Sequence, residues 1–159
     1  MQITLLTVGK IKEKYFKDAI EEYSKRLSRY CRLNIIEVED EKTPDGASDK
    51  LCDQIMSKEG ERLTNHIPEG AYVIALAIEG KRYDSVGFSE KINSLAVNGK
   101  SNIVFIIGGS LGIASKIKKR ADELISFSDM TFPHQLMRVI LLEQVYRAYR
   151  IMNNEPYHK

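Results

Sequence analysis

The last long apolar segment of the chain carries two polar side chains that could do chemistry. In TFPHQLMRVILLEQVYR, residues 131–147, His134 and Arg138 lie one helical turn apart among Leu, Met, Val and Ile. Burying a guanidinium among apolar side chains costs free energy unless a carboxylate, a phosphate or a carbonyl group pairs with it. Arg138 is therefore either paired to a carboxylate at an interface or, since its planar fork suits anions, a contact for a substrate or cofactor.

Other polar residues near the end of the chain have two interpretations each. His134 falls in a first helical turn, where free N–H groups and the helix dipole favour anions and lower the pKa of an imidazole; it either only starts the helix or has a function. Glu143 and Arg147, spaced i,i+4, are expected to pair on the outer face. The terminal EPYHK groups a Tyr, a His and a Lys, although chain ends tend to fray.

The glycine-rich stretch GGSLG, residues 108–112, follows the apolar run IVFII. Its spacing does not fit a dinucleotide fingerprint. It does match GxSxG between a strand and a helix, so Ser110 with Asp129 and either His134 or His158 is kept as a serine hydrolase alternative. The chain is short for that fold and lacks an HGGG-like segment. Glycines just after a central strand more commonly allow another segment of the chain, or a ligand, to approach the backbone closely.

Composition limits the class of protein. The 159 residues, 43% hydrophobic and 29% charged, predict one soluble globular domain over residues 1–159. Cys31 and Cys52 have no CxxC or His pair nearby, which argues against a metal or a disulfide and favours a reducing cytoplasm. The apolar runs are too short to cross a bilayer, and MQITLLTVGK is typical of a strand rather than of a secretion signal. Residues 1–32 and 101–159 are net basic, so the two ends together could bind phosphates.

Strand and helix signals alternate along the chain. Strands are predicted at ITLLTVG, LNIIEV, AYVIALAI, NIVFIIGG and ISFS, of which AYVIALAI and NIVFIIGG are typical of central strands covered on both faces. Helices are predicted after the first strand, from an N-cap at Ser48 to about His66, at SEKINSLAV, at ASKIKKRADEL, and from about Pro133 to Met152. The fold class is therefore α/β, with a mainly parallel sheet and helices on both faces. The final helix has an apolar arc of roughly 200°, which predicts burial by its own sheet and by a second surface.

Several segments together closely resemble one known family. IIGGSLG, SFSDMTFPHQLMRVILLEQVYRAYRIM and the terminal PYHK resemble the RlmH family of the SPOUT superfamily, the ribosomal RNA large-subunit methyltransferases. The likeness extends to ITLLTVGKIKEKYFKDAIEEYSKRL and LAIEGK, and so covers nearly the whole chain. It implies a C-terminal trefoil knot, a homodimer, and S-adenosylmethionine bound by the knotted loops. The implied reaction is methylation at N3 of a pseudouridine in helix 69 of 23S rRNA, on assembled 70S ribosomes.

The resemblance also implies roles for individual residues. His158, Tyr157 and Arg138 are expected to be catalytic and to face the RNA, with His158 the first candidate for the base and the partner subunit's tail completing the site. A side chain larger than glycine at position 108 is expected to occupy ligand space. A non-catalytic ribosome-binding module, suggested by the basic ends, stays open as another alternative. The expected RNA contacts are His134, Arg147 and Lys159, and the expected cofactor contacts are Leu76, Gly108, Gly109, Phe127, Ser128, Asp129, Met130, Thr131 and Phe132.

Overall fold

Strands and helices alternate along the whole chain, as the hydrophobic pattern predicts. The computed structural model describes residues 1–159. Its elements are β1 (Gln2–Val8), α1 (Lys14–Leu27), β2 (Arg32–Val38), α2 (Asp49–Thr64), β3 (Tyr72–Arg82), α3 (Ser85–Val97), β4 (Asn102–Ile107), α4 (Ser115–Arg120), β5 (Glu123–Ser126) and α5 (His134–Met152). None of the helices combines the length and the apolar character that a membrane span requires.

The five strands form one sheet in the order β2-β1-β4-β3-β5, and every neighbouring pair is parallel. β1 and β4 lie at its centre and are buried along almost their whole length. Such continuous apolar runs are needed because helices cover both faces of a parallel sheet. The predicted α/β class, the parallel sheet and the interior positions of β3 and β4 are confirmed.

Successive residues of the central strands point to opposite faces and supply two separate cores. On one face Ile3 and Phe105 pack with residues of α1, α3 and α5. On the other face Leu6 and Val104 pack with residues of α2 and α4. The predicted placement of helices on both faces of the sheet is therefore confirmed.

The helix α3 starts earlier than its apolar pattern predicts. The pattern indicates a start at Ser89, whereas α3 begins at Ser85. Asp84 is the reason, since its Oδ1 accepts the N–H of Gly87 at 2.7 Å and so caps the first turn. The predicted cap of α2 is confirmed, because Ser48 accepts a backbone N–H of that first turn at 3.2 Å.

The helix α4 is shorter than predicted. Helical spacing continues to Leu124, yet the helix ends at Arg120 and β5 begins at Glu123. Asp122 binds the backbone of Val73 twice: its Oδ2 accepts the Val73 N–H at 2.7 Å, and its own N–H donates to the Val73 carbonyl at 2.8 Å. Pairing with β3 therefore ends the helix and starts the strand earlier than the local pattern indicates.

The strand β3 continues past the predicted end at Ile78. Its register shifts between Leu76 and Lys81, both of which pair with Ile125 of β5, so the residues between them bulge out of the sheet. Gly80 closes this bulge against β5. A Cβ there would come within 2.5 Å of the Ile125 carbonyl carbon, which explains why the position holds a glycine.

The guanidinium of Arg138 joins the last helix to the first two strands. The residue is 0% exposed, and its Nη2 donates to the carbonyl oxygens of Val8 at 2.7 Å and Gly9 at 2.8 Å. Its Nη1 lies 3.4 Å from Oε1 of Glu37. Burial lowers the pKa of Arg138, and the Glu37 carboxylate acts in the opposite direction. The carbonyl and carboxylate partners expected for a guanidinium in an apolar arc are both present.

The helix α5 buries most of the predicted apolar arc within its own chain. Residues such as Leu141 and Val145 pack into the core that α5 shares with α1 and α3. Leu136, Val139 and Ile140 remain partly exposed. Val139 belongs to the predicted arc and the other two lie beside it, so burial of α5 by a second surface stays a prediction.

We expect Arg138→Met to lower the free energy of unfolding by about 3 kcal/mol, because it leaves two buried carbonyls and Glu37 without their cation. Urea unfolding followed by circular dichroism measures the loss. The matched control is Arg26→Met on α1, which removes an exposed i,i+4 pair with Glu22 and should change the stability far less, because solvent screens such a pair. Equal losses in the two variants would contradict the role given to Arg138.

Candidate active site

A cavity of about 780 Å³ lies where β3, β4 and β5 reach their carboxyl ends. Its volume is in the range of about 300–1,000 Å³ typical of small-molecule sites. Ligands of open parallel sheets bind at this edge, because loops rather than backbone pairing fill the space beyond the strands. The walls are the bulge of β3, the glycine turn after β4, the segment after β5 and the start of α5.

The three segments expected to bind a cofactor, namely the strand end around Leu76, the turn at Gly108 and Gly109 and the run from Phe127 to Phe132, meet in this cavity. Of the residues expected to bind the cofactor, only Asp129 does not line the cavity: its side chain is exposed and pairs with Arg82. The role of these residues in binding stays a prediction, but their convergence is a fact of the structure. The expected cofactor residues that line the cavity are Leu76, Gly108, Gly109, Phe127, Ser128, Met130, Thr131 and Phe132.

The glycine turn after β4 folds back on itself. The N–H of Gly112 donates to the carbonyl of Gly109 at 3.0 Å, and Gly112 has a φ of +93°, which favours glycine. A Cβ at Gly108 would overlap the backbone carbonyl of Gly112. The expectation that a side chain at Gly108 would occupy ligand space is therefore wrong: it would open the turn instead.

A buried carboxyl group supports the glycine turn from behind. Glu59 of α2 is 5% exposed, and its Oε1 accepts the N–H of Glu41 at 3.1 Å. Its Oε2 would lie 3.2 Å from a Cβ at Gly109. Burial raises the pKa of Glu59. Sequence analysis missed this residue because one Glu in a charged helix carries no signal of burial.

The segment 127–133 is held by short local bonds and by one aromatic contact. The hydroxyl of Ser126 donates to the carbonyl of Ser128 at 3.0 Å, and the Ser128 hydroxyl accepts the N–H of Met130 at 3.0 Å. The ring of Phe127 meets that of Phe88 edge-on, with centroids 6.3 Å apart. These contacts fix the segment against the sheet, while Met130 stays 72% exposed at the cavity wall.

Several lining residues were not predicted from the sequence. Ala77, Ile78 and Glu79 reach the cavity because β3 bulges there, and Lys118 of α4 pairs with Glu79. The hydrogen bond from Lys118 lowers the pKa of Glu79. Met56 lines the cavity from α2, although its position in a polar helix gives no sign of it. No sequence signal could have identified these residues without the register of β3 and the packing of α2.

His134, predicted as an RNA contact, also lines the cavity at the first turn of α5. Its pKa is lowered, as expected, but the main cause is burial, followed by the positive charge of Arg138. Asp40 opposes both effects. The neutral imidazole is therefore favoured at the cavity wall.

Arg138 does not line the cavity, and its complete burial leaves no surface for RNA. The expectation that its side chain faces the RNA does not hold in this conformation. A catalytic role for Arg138 stays a prediction and would have to act through the residues that it positions. The nearest such residue is His134, one turn earlier on α5.

The C-terminal tail lies along α5, away from the cavity. The Tyr157 hydroxyl donates to Oε1 of Glu143 at 3.0 Å, and the guanidinium of Arg147 lies 4.7 Å from the centre of the Tyr157 ring. Burial and the bond to Glu143 raise the pKa of Tyr157 to about 12. Nδ1 of His158 is 3.4 Å from Nη1 of Arg147, and Lys159 is exposed. The tail is thus ordered on the helix, but it does not reach the cavity of its own chain.

The Glu143–Arg147 pair expected on the outer face is present, with Arg147 Nη2 2.5 Å from Glu143 Oε1. It is only partly exposed, because the tail covers it. The pair also holds the tail on the helix. Glu143 accepts the hydrogen bond of the Tyr157 hydroxyl, and Arg147 contacts the Tyr157 ring and His158.

The catalytic triad of a serine hydrolase is not assembled. Ser110 is exposed at the cavity wall and makes no hydrogen bond to a histidine. Asp129 pairs with Arg82, and His158 lies against Arg147. The GxSxG match is better explained by the tight turn that its glycines form. No cluster of three or more His, Cys, Asp or Glu side chains is arranged to hold a metal ion.

Comparison with known proteins gives consistent matches over the whole length. The family model described as "Predicted SPOUT methyltransferase" matches residues 1–158. The "Ribosomal RNA large subunit methyltransferase H" of Bifidobacterium adolescentis is 66% identical over 159 residues, which cover 100% of both chains. The protein of the same name from Clostridium kluyveri is 62% identical, again over 100% of both chains.

Among solved structures, a probable methylase family protein from Haemophilus influenzae superposes with a TM-score of 0.52 at 11% identity, covering 99% of this chain and 70% of the other. A Legionella pneumophila protein described as a methyltransferase, solved with bound SAM, gives 0.50 at 12% identity, with 94% and 66% covered. At such identities the likeness concerns the fold. The full-length matches in sequence and the strand-edge cavity agree: the chain belongs to the SPOUT methyltransferases, in the family of the ribosomal RNA large subunit methyltransferases H.

Proposed function

We propose that the protein transfers a methyl group from S-adenosylmethionine to ribosomal RNA of the large subunit. The observation that carries the proposal is the convergence of the glycine turn and the segment 127–133 in one cavity at the carboxyl edge of the sheet. Relatives 66% and 62% identical over their whole length bear the name of such an enzyme. The finer target follows from the family resemblance: N3 of a pseudouridine in helix 69 of 23S rRNA, on the assembled 70S ribosome.

The residues around the cavity fit an adenosine-bearing cofactor. Gly108 and Gly109 present backbone without side chains, and apolar walls come from Leu76, Phe127 and Met137. Backbone N–H and C=O groups there would pair with the polar edges of the adenine while the apolar walls contact its faces. S-adenosylmethionine, when bound, supplies a methyl group already activated on a sulfonium. The protein must then mainly align the acceptor nitrogen and exclude water.

Transfer to N3 also requires removal of the N3 proton. His158 is our candidate for the general base, since imidazole is suited to accept a proton near neutral pH. Tyr157, held by Glu143 and Arg147, would position it. Lys159, exposed at the end of the tail, would contact the RNA, and so would Arg147, a partly exposed cation of α5 beside the tail.

This assignment requires a second copy of the chain, because His158 does not line the cavity of its own protomer. We propose a homodimer in which the tail of one subunit completes the cavity of the other. The partly exposed strip of Leu136, Val139 and Ile140 on α5 is the surface that a second copy would cover. The trefoil knot implied by the resemblance and the cytoplasmic location favoured by the isolated Cys31 and Cys52 belong to the same proposal.

Calorimetry with S-adenosylmethionine tests the cofactor site. The protein is expected to bind it, and Ala77→Phe is expected to weaken binding at least about tenfold, because the larger ring would fill space beside Leu76. Val97→Phe is the matched control, since Val97 is 78% exposed and outside the cavity. Absence of binding at high micromolar cofactor, or equal effects of the two variants, would contradict the site.

His158→Ala is expected to keep the affinity for S-adenosylmethionine and to lower turnover on ribosomes about a hundredfold or more, the usual contribution of a general base. Transfer of a radiolabelled methyl group to ribosomes that lack the modification is the measurement. His66→Ala, at an exposed histidine after α2, is the control. Unchanged turnover would reject His158 as the base.

The same assay tests the non-catalytic alternative. Binding of ribosomes by the unmutated protein without any methyl transfer would favour a ribosome-binding module.

Mixing the two variants, at a concentration of S-adenosylmethionine too low to fill the Ala77→Phe site, tests whether the tail acts across the dimer. A heterodimer of His158→Ala and Ala77→Phe has one site that combines an intact cavity with an intact tail, if the tail comes from the other subunit. Activity should therefore reappear on mixing. If each tail serves its own cavity, both sites stay defective and mixing restores nothing.

A further inference from the structure

A second group of side chains suited to binding lies outside the cavity, in the segment Lys10–Lys17 between β1 and the first turn of α1. Four lysines of this segment are exposed to solvent. Tyr15 lies among them and is 64% exposed, one of the most exposed large apolar side chains of the protein. The lysines are Lys10, Lys12, Lys14 and Lys17.

Most of this positive charge is not neutralised within the protein. Lys14 pairs with Asp18 at 2.6 Å, and both side chains of that pair are exposed. Lys10, Lys12 and Lys17 make no ion pair. Three ammonium groups therefore remain available to an anionic partner.

The Tyr15 ring has a fixed support. Its centroid lies 4.5 Å from that of Phe16, with the planes tilted by 55°. Phe16 is partly buried, so this contact limits the motion of Tyr15 while leaving most of its surface to solvent. An exposed aromatic ring among cations is the arrangement that stacks an unpaired base while lysines neutralise phosphates.

The segment follows a strand end that lies beside the glycine turn of the cavity. Cγ1 of Val8, the last residue of β1, would lie 3.2 Å from a Cβ at Gly109. Gly9 then turns the chain with a φ of +81°, while its N–H donates to the carbonyl of Val38 at 2.8 Å. Arg138 binds the carbonyls of both Val8 and Gly9. Lys10 thus follows a rigid turn that touches the glycine turn of the cavity.

We propose that the segment Lys10–Lys17 is a contact surface for ribosomal RNA, in which the lysines bind phosphates and Tyr15 stacks on an unpaired base near the target nucleotide. The proposal rests on the proposed function, since it places the acceptor RNA beside the cavity. An acidic protein surface would pair with the lysines but has no base to stack on the Tyr15 ring. The combination of ring and free lysines favours RNA.

Charge reversal tests the lysines. Lys10→Glu with Lys12→Glu should raise KM for 70S ribosomes about tenfold or more, with kcat and the affinity for S-adenosylmethionine unchanged. In co-sedimentation with ribosomes, the slope of log affinity against log salt should become shallower by about 1 to 2, for two lost phosphate contacts. The control is Lys25→Glu with Lys100→Glu, an equal change of charge at exposed lysines near the opposite edge of the sheet.

The outcomes separate this proposal from the proposed function. Normal methyl transfer with the same KM and salt slope in both double variants would overturn the RNA surface and leave the enzyme assignment intact. Failure of the unmutated protein both to bind ribosomes and to methylate them would overturn both. Reduced binding in the control to the same extent would show only a general effect of charge and would also overturn the surface.

A photo-crosslinking residue at position 15 identifies the class of partner. Benzoyl-phenylalanine in place of Tyr15 should crosslink to rRNA on 70S ribosomes, while the same residue at Val97 should not. A crosslink to ribosomal protein alone, or none, would overturn the proposal. Tyr15→Ala should weaken ribosome binding about fivefold or more, whereas Tyr15→Phe, which keeps the ring, should not.

Discussion

The buried guanidinium of Arg138 is the interaction on which the geometry of the site depends. A charge that is 0% exposed must have fixed partners, and here they are the carbonyls of Val8 and Gly9 and the carboxylate of Glu37. Because these partners lie at the carboxyl ends of β1 and β2, the bonds set the position of α5 over that edge of the sheet. His134 and Met137, in the same turn of α5, then form part of the cavity wall. An interaction outside the cavity thus fixes part of the cavity wall.

The chain separates the groups proposed to be functional into two places. The cavity is built mainly from backbone, glycines and apolar side chains at the ends of parallel strands, with His134 at its wall, and the groups proposed for proton transfer lie on the tail along α5. A small protein can hold a cofactor on a rigid sheet edge in this way, but it cannot bring its own tail to that edge from the position observed. In the proposed homodimer, a second copy would cover the partly exposed strip of Leu136, Val139 and Ile140 and would also bring its tail to the cavity.

Sequence analysis predicted elements best where one local force dominated. The apolar runs of β1, β3 and β4 have to be buried on both faces, and Ser48 is a side chain whose favoured local bond starts a helix. It was less accurate where a distant partner decided the outcome. Asp122 ends α4 only because Val73 lies beside it, and β3 extends past Ile78 only because Gly80 fits against Ile125. Helical spacing in ASKIKKRADEL carries no information about a strand that arrives from another part of the chain.

The sequence by itself determined the α/β class and the parallel sheet, through periodicity and turn chemistry, and its family-like motifs indicated the segments that meet at the cavity and the polar residues of the tail. Only the tertiary structure decided that Glu59 supports the glycine turn, that Arg138 is buried away from any RNA, and that Tyr157 and His158 lie outside their own cavity. The physical reason is the same in each case. Whether a charged side chain is buried, paired or free depends on which distant backbone and side-chain groups pack against it, and a local pattern contains no record of them.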